Sequence, residues 1–275
     1  MLKFKLIGIL ISLKSLVLNI THPAPDSFLN ARKEYQVKKA GKMYKFLESS
    51  GLETYQNDQL LTHNDSGGDA ALFVMSASGV FLDTLLLNVK NIDWEDVTRD
   101  DAGSIYVGDF GNNLNKRKNL VIYKYSLSDS TVSKIEFRLA DQDQFPPDRE
   151  HMDFDIEAMA WNAGELVLIT KNRGSSVVRL YKVPDQPGAY QVEPTEEIAI
   201  PNMVTGADIS TDGRSLALLT YGRIYLFKVD QSGYFAQPWQ VKPLIKGQTE
   251  GIVYINNTDM MVSNEAGKLF SITLK

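Results

Sequence analysis

The chain has 275 residues and no cysteine, which excludes disulfides, thiol chemistry, cysteine-ligated metals and a lipid-modified cysteine anchor. Its formal net charge of −5 is poorly suited to nucleic acid, whose binding depends on Lys and Arg contacts to phosphate, so we expect no nucleic-acid partner. Hydrophobic residues make up 43% and charged residues 23%, as in a soluble globular protein.

The N-terminal segment 1–20 differs from the rest of the chain. A short basic stretch precedes an apolar run at 6–13, and Lys14 separates this run from a second one at 15–20. The pattern is typical of a secretory signal peptide, and it is too short and interrupted for a comfortable transmembrane helix. A buried N-terminal strand or helix is the alternative. We therefore predict a periplasmic or secreted protein of the bacterial cell envelope, with no transmembrane span after signal removal.

A fourfold pattern of short alternating segments recurs five times after residue 48. The first segments are SSGLET (49–54), DWEDVT (93–98), DIEAMA (155–160), TGADIS (205–210) and TEGIVY (249–254). The second segments are LLTHND (60–65), SIYVGD (104–109), LVLITK (166–171), SLALLT (215–220) and DMMVSN (259–264). The third segments carry the aliphatic–aromatic pairs at 72–73, 122–123, 180–181, 224–225 and 269–270. The outer segments are FLDTLLL (81–87), SKIEFRL (133–139), PTEEIAI (194–200) and WQVKPLI (239–245).

Four strands per repeat, at intervals of roughly 45–60 residues, are typical of β-propeller blades. One four-stranded sheet has two apolar faces that it cannot cover alone, so blades pack face to face around an axis. The sequence predicts an all-β fold, a β-propeller of about five four-stranded blades. The stretches 126–152 and 22–41 leave room for a sixth, irregular blade. A β-sandwich is the alternative architecture, and the fivefold register disfavours it.

The fifth repeat ends at Lys275 after three strands, so its outer strand must come from elsewhere. The alternating segment KMYKFL (42–47) lies just before the first repeat, and we predict that it closes the ring. The predicted organisation is a signal-like segment (1–20), a tail (21–42) and a single propeller domain (43–275) that is monomeric.

Propeller topology places candidate site residues around one funnel mouth, because first strands begin and second strands end there. The predicted metal ligands are the acids at these positions: Asp93, Glu95, Asp155, Glu157, Glu250 and Glu265. The predicted ligand-binding residues are Asn64, Asp65, Asp109, Arg117, Lys171, Tyr221 and Asn264.

Such a concentration of acids requires a cation or basic partners. Calcium takes oxygen ligands of this kind, and we predict a Ca²⁺ site as one possibility. Salt bridges to Lys171, Arg117 or Arg173 with ordered water are a second, and direct binding of a small polar ligand is a third.

Three of the acids occupy equivalent positions. Glu95, Glu157 and Glu250 have the same place in repeats two, three and five, whereas repeat one has Ser50 and repeat four has Gly206. We expect the three carboxylates to surround a common ion or water cluster on the axis.

Catalytic candidates are few. Histidine ordinarily titrates near neutrality and His63 adjoins polar residues, so it and Glu157 are the candidate acid–base groups, although the pattern favours a satisfied, non-catalytic histidine over a catalytic one. Ser66 lacks the G-x-S-x-G context of a hydrolase nucleophile. The glycine-rich segment 108–113 leads into a strand rather than a helix, so it is not a dinucleotide fingerprint.

Five short motifs carry a family resemblance: ESSGL (48–52), HNDSG (63–67), DWED (93–96), GDFGNN (108–113) and TGAD (205–208), the last followed by DG (212–213). With them, the region 43–275 resembles bacterial envelope propellers labelled SdiA-regulated, phytase-like or TolB-like. True β-propeller phytases bind several calcium ions and cleave phosphate monoesters, using more acids and a basic phosphate clamp. This chain has Asn112 where the group has Asp, which removes one possible ligand, so phytase activity is an analogy.

Two hypotheses for function follow. The first is a calcium-supported binding or sensing module of the cell envelope, with a small polar ligand or an envelope partner and no turnover. The second is a metal-dependent hydrolase of a small ester, lactone or phosphate monoester, which needs a bound water of lowered pKa and a base such as His63 or Glu157.

Overall fold

The computed structural model describes residues 35–43, 49–241 and 247–274, and the statements below refer to these ranges. The predicted signal-like segment and residues 21–34 of the predicted tail lie outside them. Within them the regular structure consists of strands and two 3-10 turns, at Gln56–Asp58 and Arg149–His151. No helix in this part of the chain is long and apolar enough to cross a membrane.

The strands follow the predicted segments closely. The first described strand is β1 (Tyr35–Lys42), and blade one consists of β2 (Ser49–Thr54), β3 (Leu60–Asn64), β4 (Ala71–Met75) and β5 (Phe81–Leu86). Blade two consists of β6 (Trp94–Arg99), β7 (Ile105–Asp109), β8 (Leu120–Tyr125) and β9 (Val132–Leu139). Blade three consists of β10 (Asp155–Asn162), β11 (Glu165–Lys171), β12 (Val177–Pro184) and β14 (Pro194–Ala199), with β13 (Gly188–Val192) inserted before its last strand. Blade four consists of β15 (Val204–Ile209), β16 (Ser215–Thr220), β17 (Arg223–Asp230) and β18 (Gly233–Val241). Blade five contains β19 (Thr249–Tyr254), β20 (Met260–Asn264) and β21 (Lys268–Leu274).

The fold is a five-bladed β-propeller, as predicted. Each blade is an antiparallel meander of four strands, and the innermost strands β2, β6, β10, β15 and β19 contact one another in a closed ring. The stretch 126–152, which left room for a sixth blade, contains only β9 and a 3-10 turn.

An N-terminal strand closes the ring, but it lies earlier in the chain than the sequence predicts. β1 pairs with β21 in antiparallel register from Tyr35 opposite Leu274 to Lys42 opposite Lys268, so part of the predicted tail forms the outer strand of blade five. The prediction of 42–47 as this strand was wrong, and residues 44–48 lie outside the described ranges. The chain must pass from the rim at Lys42 to the axis at Ser49, so the closing strand has to end before this connection.

Blade two has a fifth strand that the sequence did not predict. β13 leaves blade three and pairs in parallel with β9, from Gly188 opposite Ile135 to Val192 opposite Leu139. The side chains hold this strap in place, since Trp161 donates its indole N–H to Asp185 at 2.8 Å. Blades two and three are therefore joined by backbone pairing at the rim as well as by packing.

The core is divided among the interfaces between blades. Each of five apolar clusters lies between two consecutive blades. Leu168 belongs to the cluster shared with blade two, and Ile169, the next residue of β11, belongs to the cluster shared with blade four. This follows from the alternation of side chains along a strand, and it explains why isolated blades would leave both faces uncovered.

Candidate functional site

A β-bulge at the start of every inner strand turns one side chain toward the axis. The register shifts by one residue between Ser49 and Gly51, Trp94 and Asp96, Ile156 and Ala158, Val204 and Gly206, and Thr249 and Ile252. Bulges of this kind re-aim side chains next to functional sites. Ser50, Glu95, Glu157 and Thr205 occupy the bulges of blades one to four, and Glu250 lies in that of blade five. The blade-four equivalent is thus Thr205 rather than Gly206, because the register shift comes one residue earlier than the sequence alignment placed it.

Blades one and two supply what we call the acidic half of the mouth: Asp65, Asp93 and Glu95. One carboxylate oxygen from each lies within 4.8 Å of the others. Glu95 is only 5% exposed, and Asp93 is partly buried. Within the described ranges, no hydrogen-bond donor or cation contacts the Glu95 carboxylate.

The electrostatics of the acidic half follow from this arrangement. Burial, and then the charges of Glu157 and Asp155, raise the pKa of Glu95 well above 4.5. Burial and the neighbouring Asp65 raise the pKa of Asp93 to about 6, although the Arg117 charge opposes the rise. A cation between these oxygens would reverse both shifts, because it favours the ionised carboxylates.

Gly111 explains how three acids fit in so small a space. A Cβ atom at this position would lie 2.1 Å from Glu95 Oε1 and 2.5 Å from Asp93 Oδ2. The backbone of the loop after β7 therefore packs directly against the two carboxyls. The glycine-rich segment 108–113 is conspicuous in the sequence, but nothing in the sequence indicates that Gly111 contacts the site.

Blade three supplies the paired half of the mouth: Asp155, Glu157, Lys171 and Arg173. Glu157 Oε2 lies 2.8 Å from Lys171 Nζ, and its Oε1 accepts a hydrogen bond from Arg173 Nη2 at 2.9 Å. Arg173 also pairs with Asp155 through Nε, and its Nη2 donates to Asn113. Lys171 and Arg173 thus both form ion pairs with acids of blade three. This agrees with the alternative from the sequence in which salt bridges compensate the acids.

These ion pairs set opposite shifts in the two acids. Burial raises the pKa of Glu157, but the charges of Lys171 and Arg173 outweigh it, and the pKa is lowered overall. Burial and the neighbouring Glu157 raise the pKa of Asp155 to about 7 in spite of Arg173. Glu95 also lies within 4.8 Å of Asp155 and Glu157, so it joins the two halves.

Asp109 and Arg117 hold the loop that carries Gly111. Arg117 donates to Asp109 Oδ1 at 2.9 Å and to the carbonyl oxygens of Asp109 and Gly111 at 2.9 and 2.8 Å. Asp109 is fully buried and accepts the backbone N–H of Ile92 at 3.2 Å. Asn112 accepts the Arg117 backbone N–H at 2.8 Å, so its side chain braces the loop. The structure therefore places Asp109 and Arg117 behind the acidic half, where they shape it.

His63 lies behind the mouth. It is fully buried, its Nδ1 bonds to the Asn64 carbonyl at 3.0 Å, and its ring packs edge-on against Trp94 at 5.8 Å. Its Nε2 is buried without a hydrogen-bond partner in the described ranges, and the backbone of Gly51 lies close to it. Burial lowers the pKa of His63 to about 4, so the ring is neutral near pH 7. Asn64, partly buried at the end of β3, follows it.

Blades four and five complete the mouth. Lys171 Nζ lies 5.4 Å from the centre of the Tyr221 ring, and the Lys171 charge also acts on Glu250. Burial and the adjacent Glu265, which is hydrogen-bonded to it, raise the pKa of Glu250 well above 4.5. Asn264 accepts the backbone N–H of Lys268 at 2.9 Å and so caps the turn after β20. Glu250 thus lies beside the paired half, outside the two oxygen clusters that contain Glu95.

Two further acids, the buried Asp96 and the half-buried Asp208, connect neighbouring inner strands. Asp96 accepts the backbone N–H of Val97 and, across the blade boundary, that of Met159, both at 2.9 Å. Asp208 accepts the backbone N–H of Tyr254 at 2.6 Å in the same manner. Sequence analysis did not identify these residues, because only the ring closure brings their partners within reach.

The comparisons with known proteins support the fold. No family model matches the sequence, and no curated protein matches it. A PQQ-bound aldose sugar dehydrogenase from Streptomyces coelicolor superposes with a TM-score of 0.52 at 9% identity, over 89% of this chain and 99% of that one. A gluconolactonase from Xanthomonas campestris superposes with a TM-score of 0.52 at 13% identity, over 92% of this chain and 93% of that one. A putative gluconolactonase gives 0.53 at 11% identity, over 92% and 97%. At these identities the likeness concerns the propeller fold alone.

Proposed function

We propose that the axial mouth binds a divalent cation in its acidic half, and that the protein serves as a binding or sensing module for a small polar ligand that completes the coordination of the cation. Calcium is the best candidate, because the donors are carboxylate oxygens and calcium accepts six to eight oxygen ligands in flexible geometry. We further propose that the module acts in the cell envelope, as the N-terminal sequence pattern suggests.

The single observation that carries this proposal is the burial of the Glu95 carboxylate without a compensating partner. A carboxylate that is 5% exposed normally has a cation or several donors, and Glu95 has neither among the described residues. Its oxygens lie instead near four other acids, in the two oxygen clusters that share it. Either a proton or a metal ion must compensate this charge, and the short distances among Asp65, Asp93 and Glu95 suit a metal ion.

The paired half is a less suitable cation site. Lys171 and Arg173 already compensate Glu157, and Arg173 also pairs with Asp155. A cation between Asp155 and Glu157 would have to displace the Arg173 guanidinium or be repelled by it. We therefore assign Asp65, Asp93 and Glu95 as the protein ligands, with the remaining coordination positions facing the open mouth.

Isothermal titration calorimetry of the metal-free chain with calcium chloride tests this assignment. We expect one site per chain, lost in Glu95→Gln and weakened at least tenfold in Asp93→Asn. Glu136→Gln is the matched control, because this glutamate is exposed on the rim strand of the same blade. Equal calcium affinity in wild type and Glu95→Gln would disprove the site.

A hydrolase is the second candidate, and the position of Asp155 favours it, because its carboxylate lies within 4.8 Å of that of the proposed ligand Glu95 without belonging to the assigned ligand set. A carboxylate beside the cation could accept a proton from a water bound to that cation. His63 Nε2 and Glu157 are less suited to this role, because the first is buried and the second is held by two cations. A bound divalent cation would supply a water of lowered pKa and polarise the substrate oxygen.

A panel of p-nitrophenyl esters, lactones and phosphate monoesters, with calcium or with chelator, separates the candidates. Lactones belong in the panel because two structural neighbours carry the gluconolactonase name. Turnover that is lost with chelator, and in an Asp155→Asn variant that still binds calcium, would favour the enzyme. Calcium binding without turnover would favour the binding module.

A further inference from the structure

The outer edges of three blades carry proline or charge, and that of blade two has no exposed large hydrophobic residue. In blade two, β13 pairs with β9 and becomes the outermost strand, with Tyr190 half-buried and Val192 buried. In blade three, β14 carries Pro194 and the exposed Glu197, and in blade four, β18 carries Pro238. In blade five, β1 carries the exposed Lys38 and Lys39. Pairing, proline and charge are the usual devices that prevent an edge strand from associating with another chain.

The outer edge of blade one is different. β5 has the sequence FLDTLL, in which the exposed Asp83 is the one charged residue among several exposed apolar ones, and no described strand pairs with its outer side. Phe81 is 36% exposed, Leu82 47% and Leu86 72%, and Val80 just before the strand is 60% exposed. Four of the seven exposed large hydrophobic residues of the described ranges therefore lie on this strand or immediately before it, and such clustering is characteristic of an interaction surface.

The hydrogen bonds show which backbone groups of β5 point outward. Leu87 donates its N–H to Ala70 at 2.8 Å, so by alternation the N–H groups of Leu86 and Thr84 point away from β4. The N–H of Thr84 bonds to the Asp83 carboxylate at 2.7 Å instead of to a neighbouring strand. In the straight part of the strand, after the register shift beside Leu82, the Leu86 N–H therefore points outward without a partner among the described residues, whereas the Thr84 N–H would have to exchange the Asp83 carboxylate for a carbonyl oxygen of another strand.

We propose that β5 pairs with β5 of a second copy of this chain, forming a twofold symmetric dimer with a continuous antiparallel sheet across blade one of each subunit. Pairing of identical strands about a twofold axis is the simplest closed assembly, and it covers both free edges at once.

The backbone pattern limits the possible registers, and the side chains favour the one centred on Thr84 over the one centred on Asp83. Two residues that lie directly opposite each other in an antiparallel pair direct their backbone N–H and C=O groups either both toward the other strand or both away from it. The residue on the twofold axis can therefore be one whose groups point outward or one whose groups point toward β4. With Thr84 on the axis, it faces Thr84 of the partner subunit, and Leu86 packs on the exposed Phe81–Leu82 segment of the partner subunit. With Asp83 on the axis, two like charges would face each other, which is unfavourable. The Thr84-centred register therefore matches apolar to apolar surface.

Sedimentation equilibrium of the full chain tests the dimer. We expect a mass of twice 30.8 kDa at micromolar concentration. Leu86→Lys, which introduces an edge-protecting charge, should weaken dimerisation at least about tenfold. Thr84→Pro should do the same without removing a bond to β4. Leu114→Lys is the control, because Leu114 is 62% exposed on a loop of blade two, and it should leave the association unchanged. A wild-type chain that is monomeric throughout, for instance because residues 1–34 cover the edge, would overturn the proposal.

A single cysteine tests the register, since the chain contains none of its own. Opposed residues of a hydrogen-bonded antiparallel pair have Cα atoms about 5.5 Å apart, within the range of a disulfide. Thr84→Cys should therefore form a covalent dimer in oxidised glutathione, whereas Leu114→Cys should not. A wild-type dimer combined with failure of Thr84→Cys to crosslink, while Leu86→Lys still dimerises, would place the interface elsewhere and refute pairing through β5.

Discussion

Replacing Glu95 by glutamine separates the electrostatic cost of the acidic half from its capacity to bind a cation. In the metal-free protein the pKa of Glu95 is raised above 4.5, so the folded state binds a proton that the unfolded state has released. The free energy of unfolding therefore falls by about 1.4 kcal/mol for each pH unit between 4.5 and the raised pKa, and then levels off. Glu95→Gln removes this decline, so we expect the variant to be more stable than wild type at pH 7.5 when chelator is present.

Calcium should invert this order. A cation that binds only the folded protein at 100 times its dissociation constant stabilises it by about 2.7 kcal/mol, which corresponds to a rise in melting temperature of roughly 5–10 °C for a chain of this size. Wild type should show this rise, because the ion favours the ionised Glu95. The glutamine variant should lose most of it, since an amide supplies one neutral oxygen in place of a carboxylate.

Differential scanning calorimetry at pH 7.5, with chelator and with calcium from micromolar to millimolar concentration, measures both effects. Glu136→Gln serves as the control and should behave as wild type in both conditions, because Glu136 is exposed on the rim of the same blade. A wild-type melting temperature that responds to neither calcium nor chelator would refute the cation site. A glutamine variant that is less stable than wild type in chelator would refute the assumption that Glu95 lacks a partner.

Three further outcomes test the site and its surroundings. Lys171→Met should lower the free energy of unfolding by about 3–5 kcal/mol in chemical denaturation, because it leaves buried carboxylates without one of their compensating charges. The control Lys182→Met, at the rim, should lower it by under about 1 kcal/mol. Equal losses in the two variants would contradict the buried ion pair. Gly111→Ala should weaken calcium binding at least tenfold by calorimetry, because its Cβ would displace the carboxyls of Asp93 and Glu95, whereas Gly68→Ala, with no atom within 4 Å, should not. The pKa of His63 is lowered to about 4, so its neutral form stabilises the fold fully above pH 6.5 and this contribution disappears as the pH falls toward 4. Relative to His63→Gln, wild type should therefore lose about 1.4 kcal/mol per pH unit across that window in urea titrations, and a constant difference would show that the ring is not buried and neutral.

The sequence by itself determined most of the strands and their grouping into five repeats. Alternation of apolar and polar residues, interrupted by turn residues at regular intervals, specifies four strands per repeat, because each repeat must bury two faces against its neighbours. β2, β16 and β19 coincide with the predicted segments 49–54, 215–220 and 249–254. The sequence also indicated that acids gather where inner strands begin, and the bulges place Glu95 and Glu157 there together.

The closing strand shows where local pattern is insufficient. Both 35–42 and 42–47 alternate, and only the length of chain needed to return from the rim to the axis selects the earlier segment. The parallel pairing of β13 with β9 is of the same kind, since no local signal in residues 188–192 specifies a partner in another blade.

The chemistry of the mouth was likewise decided by tertiary structure. Glu95 and Glu157 occupy equivalent bulges and have the same side chain, yet Glu157 is held by Lys171 and Arg173 whereas Glu95 has only acids around it. The difference arises because the cations follow the second strand of blade three and point back to their own blade. The sequence specifies which residues are charged and where they lie along the chain. Which charges compensate one another depends on distances between side chains, and only the closed ring of blades determines these distances.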